Sequence, residues 1–168
     1  IQLESIIKKV LEDKARFERE LRIKKQQEAL KTKSFKALKG QLPWPAEGRI
    51  IAKFGRQWNS KLKTTTENPG IDIKGQPGSA IRTVLGGVVT TITYIRGYGT
   101  TIIVDHGGGF YTVYSHVTNI QTVVDGQVRN GDVIAYMGDS GSINGSKLHF
   151  EIWGKGQKLD PEKWLIKK

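Results

Sequence analysis

From Arg49 onward the sequence breaks into short segments rich in β-branched and aromatic residues, punctuated by glycine: RIIAKF, GIDIKG, AIRTVL, VVTTITYI, TTIIVDH, FYTVYSH, VRNGDVIAYMG and LHFEIWG. Side chains of this kind suit a pleated, half-buried surface. They recur at regular spacing, and no helical pattern separates them. A mainly β fold follows, an antiparallel sheet or barrel-like sandwich.

Residues 1–40 have a different character. They contain no proline and a single glycine, at the end. Twelve basic residues against six acidic ones leave +6 in this quarter of the chain. Leu3, Ile7, Val10, Phe17 and Leu21 fall at heptad-like spacings, which predicts an amphipathic helix with one narrow apolar stripe. Glu4–Lys8, Glu12–Arg16, Glu18–Arg22 and Glu20–Lys24 stand in the favourable acid-first i,i+4 order. Such a stripe needs a cover, either a second helix or a groove on the following domain. The seam weakens where Lys24 and Glu28 take its next positions. Ala29, Leu30, Phe35 and Leu38 suggest a separate, shorter amphipathic piece. KGQLPWPAEG then ends the helix, because two prolines around Trp44 force an extended path. The chain is therefore expected to divide into a helical segment, 1–40, and a β domain, 41–168. The opening IQLESIIKKV looks like the middle of a helix, as in a piece of a longer protein whose targeting segment is absent.

Composition narrows the partners. The 168 residues include 27 basic and 16 acidic ones, a net charge of +11, and no cysteine. Disulfides and thiolate metal sites are excluded. The basic excess favours a polyanionic partner or simple solubility. No apolar run approaches the roughly 20 residues of a membrane span. Neither an RNP-like aromatic pattern nor a helix-turn-helix signal supports nucleic-acid binding.

Strand alternation sorts the polar residues. In KLHFEIW, Leu148, Phe150 and Ile152 face a core, which turns Lys147, His149, Glu151 and Trp153 outward. In GIDIKG, Ile71 and Ile73 face inward and Asp72 outward. In FYTVYSHV, Tyr114 and His116 share a face with Phe110 and Thr112. Asp72, His116 and His149 are thus candidates for one exposed sheet surface.

At this point the residues resemble a known family. PGIDI (69–73), GGVVT (86–90), RGYGTTIIVDHGGGFYTVYSH (96–116), VDGQVRNGDVIAYMGDSGSINGSKLHFEIW (124–153) and LDPEKWL (159–165) occur in the order found in LytM/lysostaphin-type peptidase domains, which are zinc-dependent peptidoglycan endopeptidases. The resemblance covers about Leu42 to Leu165. In active members, zinc is held by the His and Asp of H-x-x-x-D and by the second His of H-x-H. The first His of H-x-H and a His in a Y-x-H strand assist the attacking water. Here Asn68 replaces the first ligand and Lys147 the catalytic His, while Asp72, His116 and His149 remain. His106 matches a turn position that is not a ligand.

Asp72 and His149 supply two of the three protein ligands a catalytic zinc needs. A neutral amide such as Asn68 is a poor third. A lysine roughly 7 Å along the strand from His149 opposes a dication. The resemblance, narrowed to EnvC-type murein hydrolase activators, implies no catalytic residue, no metal and no cofactor. It implies instead a non-catalytic periplasmic activator of an N-acetylmuramoyl-L-alanine amidase in daughter-cell separation. Its coiled coil would be tied to an ABC-transporter-like division complex, and peptidoglycan is a further possible contact. The expected docking groove comprises Arg96, Tyr98, Tyr114, Lys147, His149 and Trp153, a set of aromatic and cationic residues of the type that dominates interfaces. One reading lays the N-terminal helix across this groove as a block. An active zinc endopeptidase and a passive cell-wall-binding module stay open as alternatives.

Overall fold

The computed structural model describes residues 2–139 and 145–168, with side chains described for all of these except 2 and 24–34. Among the described residues, one helix, α1 (Gln2–Ala37), precedes thirteen strands and a short C-terminal helix, α2 (Pro161–Trp164). The strands are β1 (Arg49–Ala52), β2 (Gly55–Asn59), β3 (Thr64–Asn68), β4 (Ile71–Lys74), β5 (Ala80–Arg82), β6 (Gly87–Ile95), β7 (Gly99–Gly107), β8 (Phe110–Ser115), β9 (Val117–Thr118), β10 (Gln127–Val128), β11 (Val133–Met137), β12 (Lys147–Gly154) and β13 (Gln157–Leu159).

The main sheet runs β1-β4-β12-β8-β7-β6-β10, with β13 paired to β12 beyond that path. Among the described residues, the named strands all pair antiparallel. A second sheet, β5-β11-β9, supplies Ile81, Ile134, Ala135, Met137 and Val117 to the same core as Ile71, Ile73, Ile102, Val104, Leu148, Phe150 and Ile152 of the main sheet. The fold is the expected mainly β LytM-like architecture behind an N-terminal helix.

β2 and β3 form a separate two-stranded hairpin that the sequence reading did not anticipate. It is exposed along almost its whole length, so neither face needed an apolar series.

α1 is a single helix rather than two pieces. Its stripe residues Leu3, Ile7, Val10, Phe17 and Leu21 are all exposed, so in this structure the helix does not lie across the sheet. The side chains of Lys24, Glu28, Ala29 and Leu30 lie outside the described residues. Arg16 pairs with Asp13 at 2.9 Å, in place of the expected Glu12. The last turn behaves differently from the rest of the helix. Phe35 is fully buried, stacked on Phe110 at 4.7 Å and tilted against Trp164 at 5.3 Å and His106 at 5.1 Å. Leu38 packs against the same core.

The proline-flanked linker is held by the C-terminal segment. Leu42 pairs with Leu165, and the Trp44 indole Nε1 donates to the Ile166 carbonyl at 2.7 Å. The Asp160 carboxylate caps α2 by accepting from the Glu162 amide, and Pro161 sits in the first turn, where its missing N–H does no harm.

Candidate functional site

The site forms on the face of the main sheet that turns away from the shared core. In the β4–β12 register His149 lies opposite Asp72 and Lys147 opposite Lys74. In the β12–β8 register His149 lies opposite Ser115, and Glu151 opposite Val113. Directly opposed residues share a face, so Asp72, Lys147, His149, Glu151, Ser115 and Val113 line one surface. Thr101 and Ile103 of β7 extend it, opposite Ser115 and Val113.

A continuous polar chain runs along this surface. Lys147 Nζ donates to Asp72 Oδ2 at 3.0 Å. His149 Nδ1 lies 2.6 Å from Asp72 Oδ1, and its Nε2 lies 2.7 Å from Glu151 Oε2. Trp153 Nε1 donates to Glu151 Oε1 at 2.7 Å. An ionised carboxylate only accepts, so both imidazole nitrogens donate and the ring is held as imidazolium. The chain is not exposed, as strand alternation alone suggested. Lys147, His149 and Glu151 keep only 9%, 3% and 7% of their surface.

Electrostatics follow from this arrangement. Burial pushes the Asp72 carboxyl up, but the bonds and charges of His149 and then Lys147 outweigh it and hold the group below its usual 3.8. Burial pulls His149 down, and its two carboxylate partners more than reverse that, raising it above 6.5. Glu151 is pushed up by burial and brought below 4.5 by His149, Trp153 and Lys158. Tyr98, whose ring lies 5.1 Å from that of His149, is raised by burial and then by the negative charges of Glu151 and Asp72.

Beside the chain lies an apolar groove of about 360 Å³. Thr101, Ile103, Val113 and Ser115 come from β7 and β8, and Pro69, Ile95, Tyr98, Glu151, Trp153 and Lys158 complete the lining. The Lys158 ammonium sits 5.9 Å from the centre of the Trp153 ring.

Several expected site residues occupy other places. Tyr114 is on the opposite face: it is fully buried, packs on Phe150 and receives a hydrogen bond from the Val84 amide through its hydroxyl. The parity of β8 sends Ser115, not Tyr114, toward the groove. His116 leaves strand alternation with φ = 65°, and its backbone bonds Tyr98 and Gly138. Its backbone therefore joins the β6–β7 turn to the residue that follows β11. Arg96 is exposed in that turn, two residues from Tyr98. Asn68 ends β3, where its Oδ1 accepts from the Gly70 amide at 3.2 Å. His106 is a buried structural residue between the Gly86 carbonyl and Thr112 Oγ1. Glu151 was placed on this face by alternation but was not counted in the site. Its role as the link between His149 and Trp153 emerges only from the fold. Of the landmark spanning 124–153, residues 140–144 lie outside the described residues.

The residues present do not fit a catalytic zinc. Both oxygens of Asp72 and both nitrogens of His149 are engaged, a lysine ammonium holds the carboxylate, and Asn68 caps a turn. Among the described residues, no group of three or more His, Cys, Asp or Glu is placed to hold a metal ion. No described helix is long and apolar enough to cross a membrane.

Known proteins are similar to this chain over most of its length. The murein hydrolase activator EnvC of Escherichia coli is 32% identical over 129 residues, 77% of this chain and 30% of its own length. The murein hydrolase activator NlpD of the same species is 37% identical over 123 residues, covering 73% of this chain and 30% of that protein. The chain thus spans less than a third of either relative. In three dimensions it resembles a zinc-containing peptidase of Vibrio cholerae, with a TM-score of 0.68 at 20% identity over 77% of this chain and 41% of that one. The sequence pattern of Peptidase family M23 matches residues 66–161, more than half of the chain, and the chain belongs to that family.

Proposed function

We propose that this chain is a non-catalytic activator of a murein hydrolase, acting in the bacterial periplasm. Its target is an N-acetylmuramoyl-L-alanine amidase, docked in the groove beside the polar chain. One observation carries the reading: the polar chain spends its donors and acceptors on itself, next to a groove whose lining is largely apolar. A surface of this kind offers contact area and an aromatic anchor, and its carboxylates and imidazole are already bonded to one another. The names of the two curated relatives support the same reading.

The groove suits an amphipathic segment of the amidase. Trp153 and Tyr98 supply anchors, and Lys158 and Arg96 supply charge near the rim. Docking shifts the amidase toward its open form by the difference in affinity between its two states. The exposed stripe of α1 suits a second helix, and we assign it to the coiled coil that links the protein to a division complex of the ABC-transporter type. Residues 41–168, with Phe35 of α1 packed into their core, are the docking domain in this reading.

Dye release from labelled sacculi tests it, with the chain alone and with a purified amidase of its own organism. We expect no release by the chain alone and strong stimulation of the amidase. Trp153→Ala should weaken amidase binding by about 2 kcal/mol, roughly thirtyfold, while the fold persists. Release without any amidase would identify a peptidase. Sacculus binding without stimulation would identify a wall-binding module.

A further inference from the structure

Lys147 stands in a place where a lysine is unfavourable twice over. First, it is buried, and a charged amine removed from water is strongly penalised unless it is paired. Second, the β1–β4 and β4–β12 registers set Arg49 opposite Lys74 and Lys74 opposite Lys147, three cations in one row across three strands. Like charges directly opposite one another destabilise a sheet. A residue present only to fill space there would be apolar.

What the position does offer is Asp72, whose Oδ2 lies 3.0 Å from the ammonium nitrogen. The same carboxylate holds His149 through Oδ1. His149 in turn holds Glu151, and Glu151 holds the Trp153 indole that lines the groove. We propose that Lys147 is an internal cation in place of a metal ion: its ammonium group anchors Asp72 and thereby orients the His149–Glu151–Trp153 chain that shapes one side of the groove. Lys147 is a positioning residue, and the groove is assembled in the absence of any bound ion. The inference rests on the non-catalytic reading above and extends it to how the groove keeps its form. Its readouts are stability and one indole resonance, so its failure is distinguishable from failure of hydrolase activation.

The test uses the full 168-residue chain and four proteins: wild type, Lys147→Arg, Lys147→Met and Lys147→Ala. Thermal unfolding is followed with and without zinc, a chelator, or ethylammonium, and the Trp153 Nε1–H signal is followed by NMR. We expect zinc and chelator to leave the wild-type Tm unchanged. Lys147→Arg should keep the wild-type Tm and indole shift. Lys147→Met preserves length without charge, so it should lower the Tm and move the Trp153 signal. Lys147→Ala should show the same defect, and ethylammonium or zinc should restore both readouts by entering the space left beside Asp72. Zinc should bind the Ala variant at least about tenfold more tightly than the wild type, since an adjacent like charge has been removed. The proposal is overturned if Lys147→Met matches Lys147→Arg, or if no cation recovers the Ala variant. It is equally overturned if wild type and Lys147→Ala bind zinc alike. Should Lys147→Ala fail to fold, the Met and Arg pair decides the matter.

Discussion

At the residue scale, the site is a set of charges that stabilise one another out of water. That makes the fold sensitive to pH on both sides. His149 is raised above 6.5 in the folded chain, so its contribution is complete below 6.5 and is lost as pH climbs through the raised value. Asp72 and Glu151 are lowered from 3.8 and 4.5, so theirs is complete above 4.5 and is lost as pH falls through the lowered values. Stability should therefore peak between about 4.5 and 6.5 and decline as pH rises past 6.5. His149→Gln should flatten the alkaline limb in urea titrations across pH, and an unchanged limb would show that the imidazolium contributes nothing. Gly70 marks a second sensitive point. A methyl added there would sit 2.1 Å from the Phe150 carbonyl oxygen, in the backbone of β12 itself. Gly70→Ala should lower stability by about 1–3 kcal/mol, the range for overpacking, as read from the urea midpoint. Much of this was readable beforehand: alternation in GIDIK and KLHFEIW placed Asp72, Lys147 and His149 on one face. The expectation failed at Tyr114, an aromatic residue assigned to the groove that is instead fully buried in the core. The core holds its hydroxyl through Val84, Thr112 and Thr83.

At the scale of elements, the strands that bury one face announced themselves and the ones that bury neither did not. β4, β7, β8 and β12 carry apolar alternation or near-continuous apolar runs, because each contributes to the core. The β2–β3 hairpin is written in Gly, Arg, Gln, Asn, Thr and Glu, with Trp58 exposed, so periodicity had nothing to register. α1 shows the reverse problem. Its stripe was evident, yet the residue that ties it to the β domain is Phe35, beyond the weakening of the seam. A boundary drawn at residue 40 removes that ring from the core. Phe35→Ala should lower stability by about 3–5 kcal/mol, whereas deleting residues 1–23, all exposed where described, should leave the unfolding midpoint of the β domain nearly unchanged. Equal stability of chains beginning at residues 24 and 41 would contradict this assignment.

At the scale of the molecule, a peptidase-family fold carries a sheet face on which the usual electron-pair donors are already bonded to one another. The excess of positive charge, +11 over the chain, favours approach to acidic partners without specifying one. Fold and family were readable because an ordered series of motifs spans most of the chain. The partner was not, because a docking surface is defined by what it fits. The direct measurement is metal content determined on the same sample that stimulates a purified amidase in dye release from labelled sacculi. The account predicts strong stimulation by protein carrying substoichiometric zinc, undiminished after chelation and removal of the chelator. One zinc per chain, with dye released in the absence of any amidase, would contradict it.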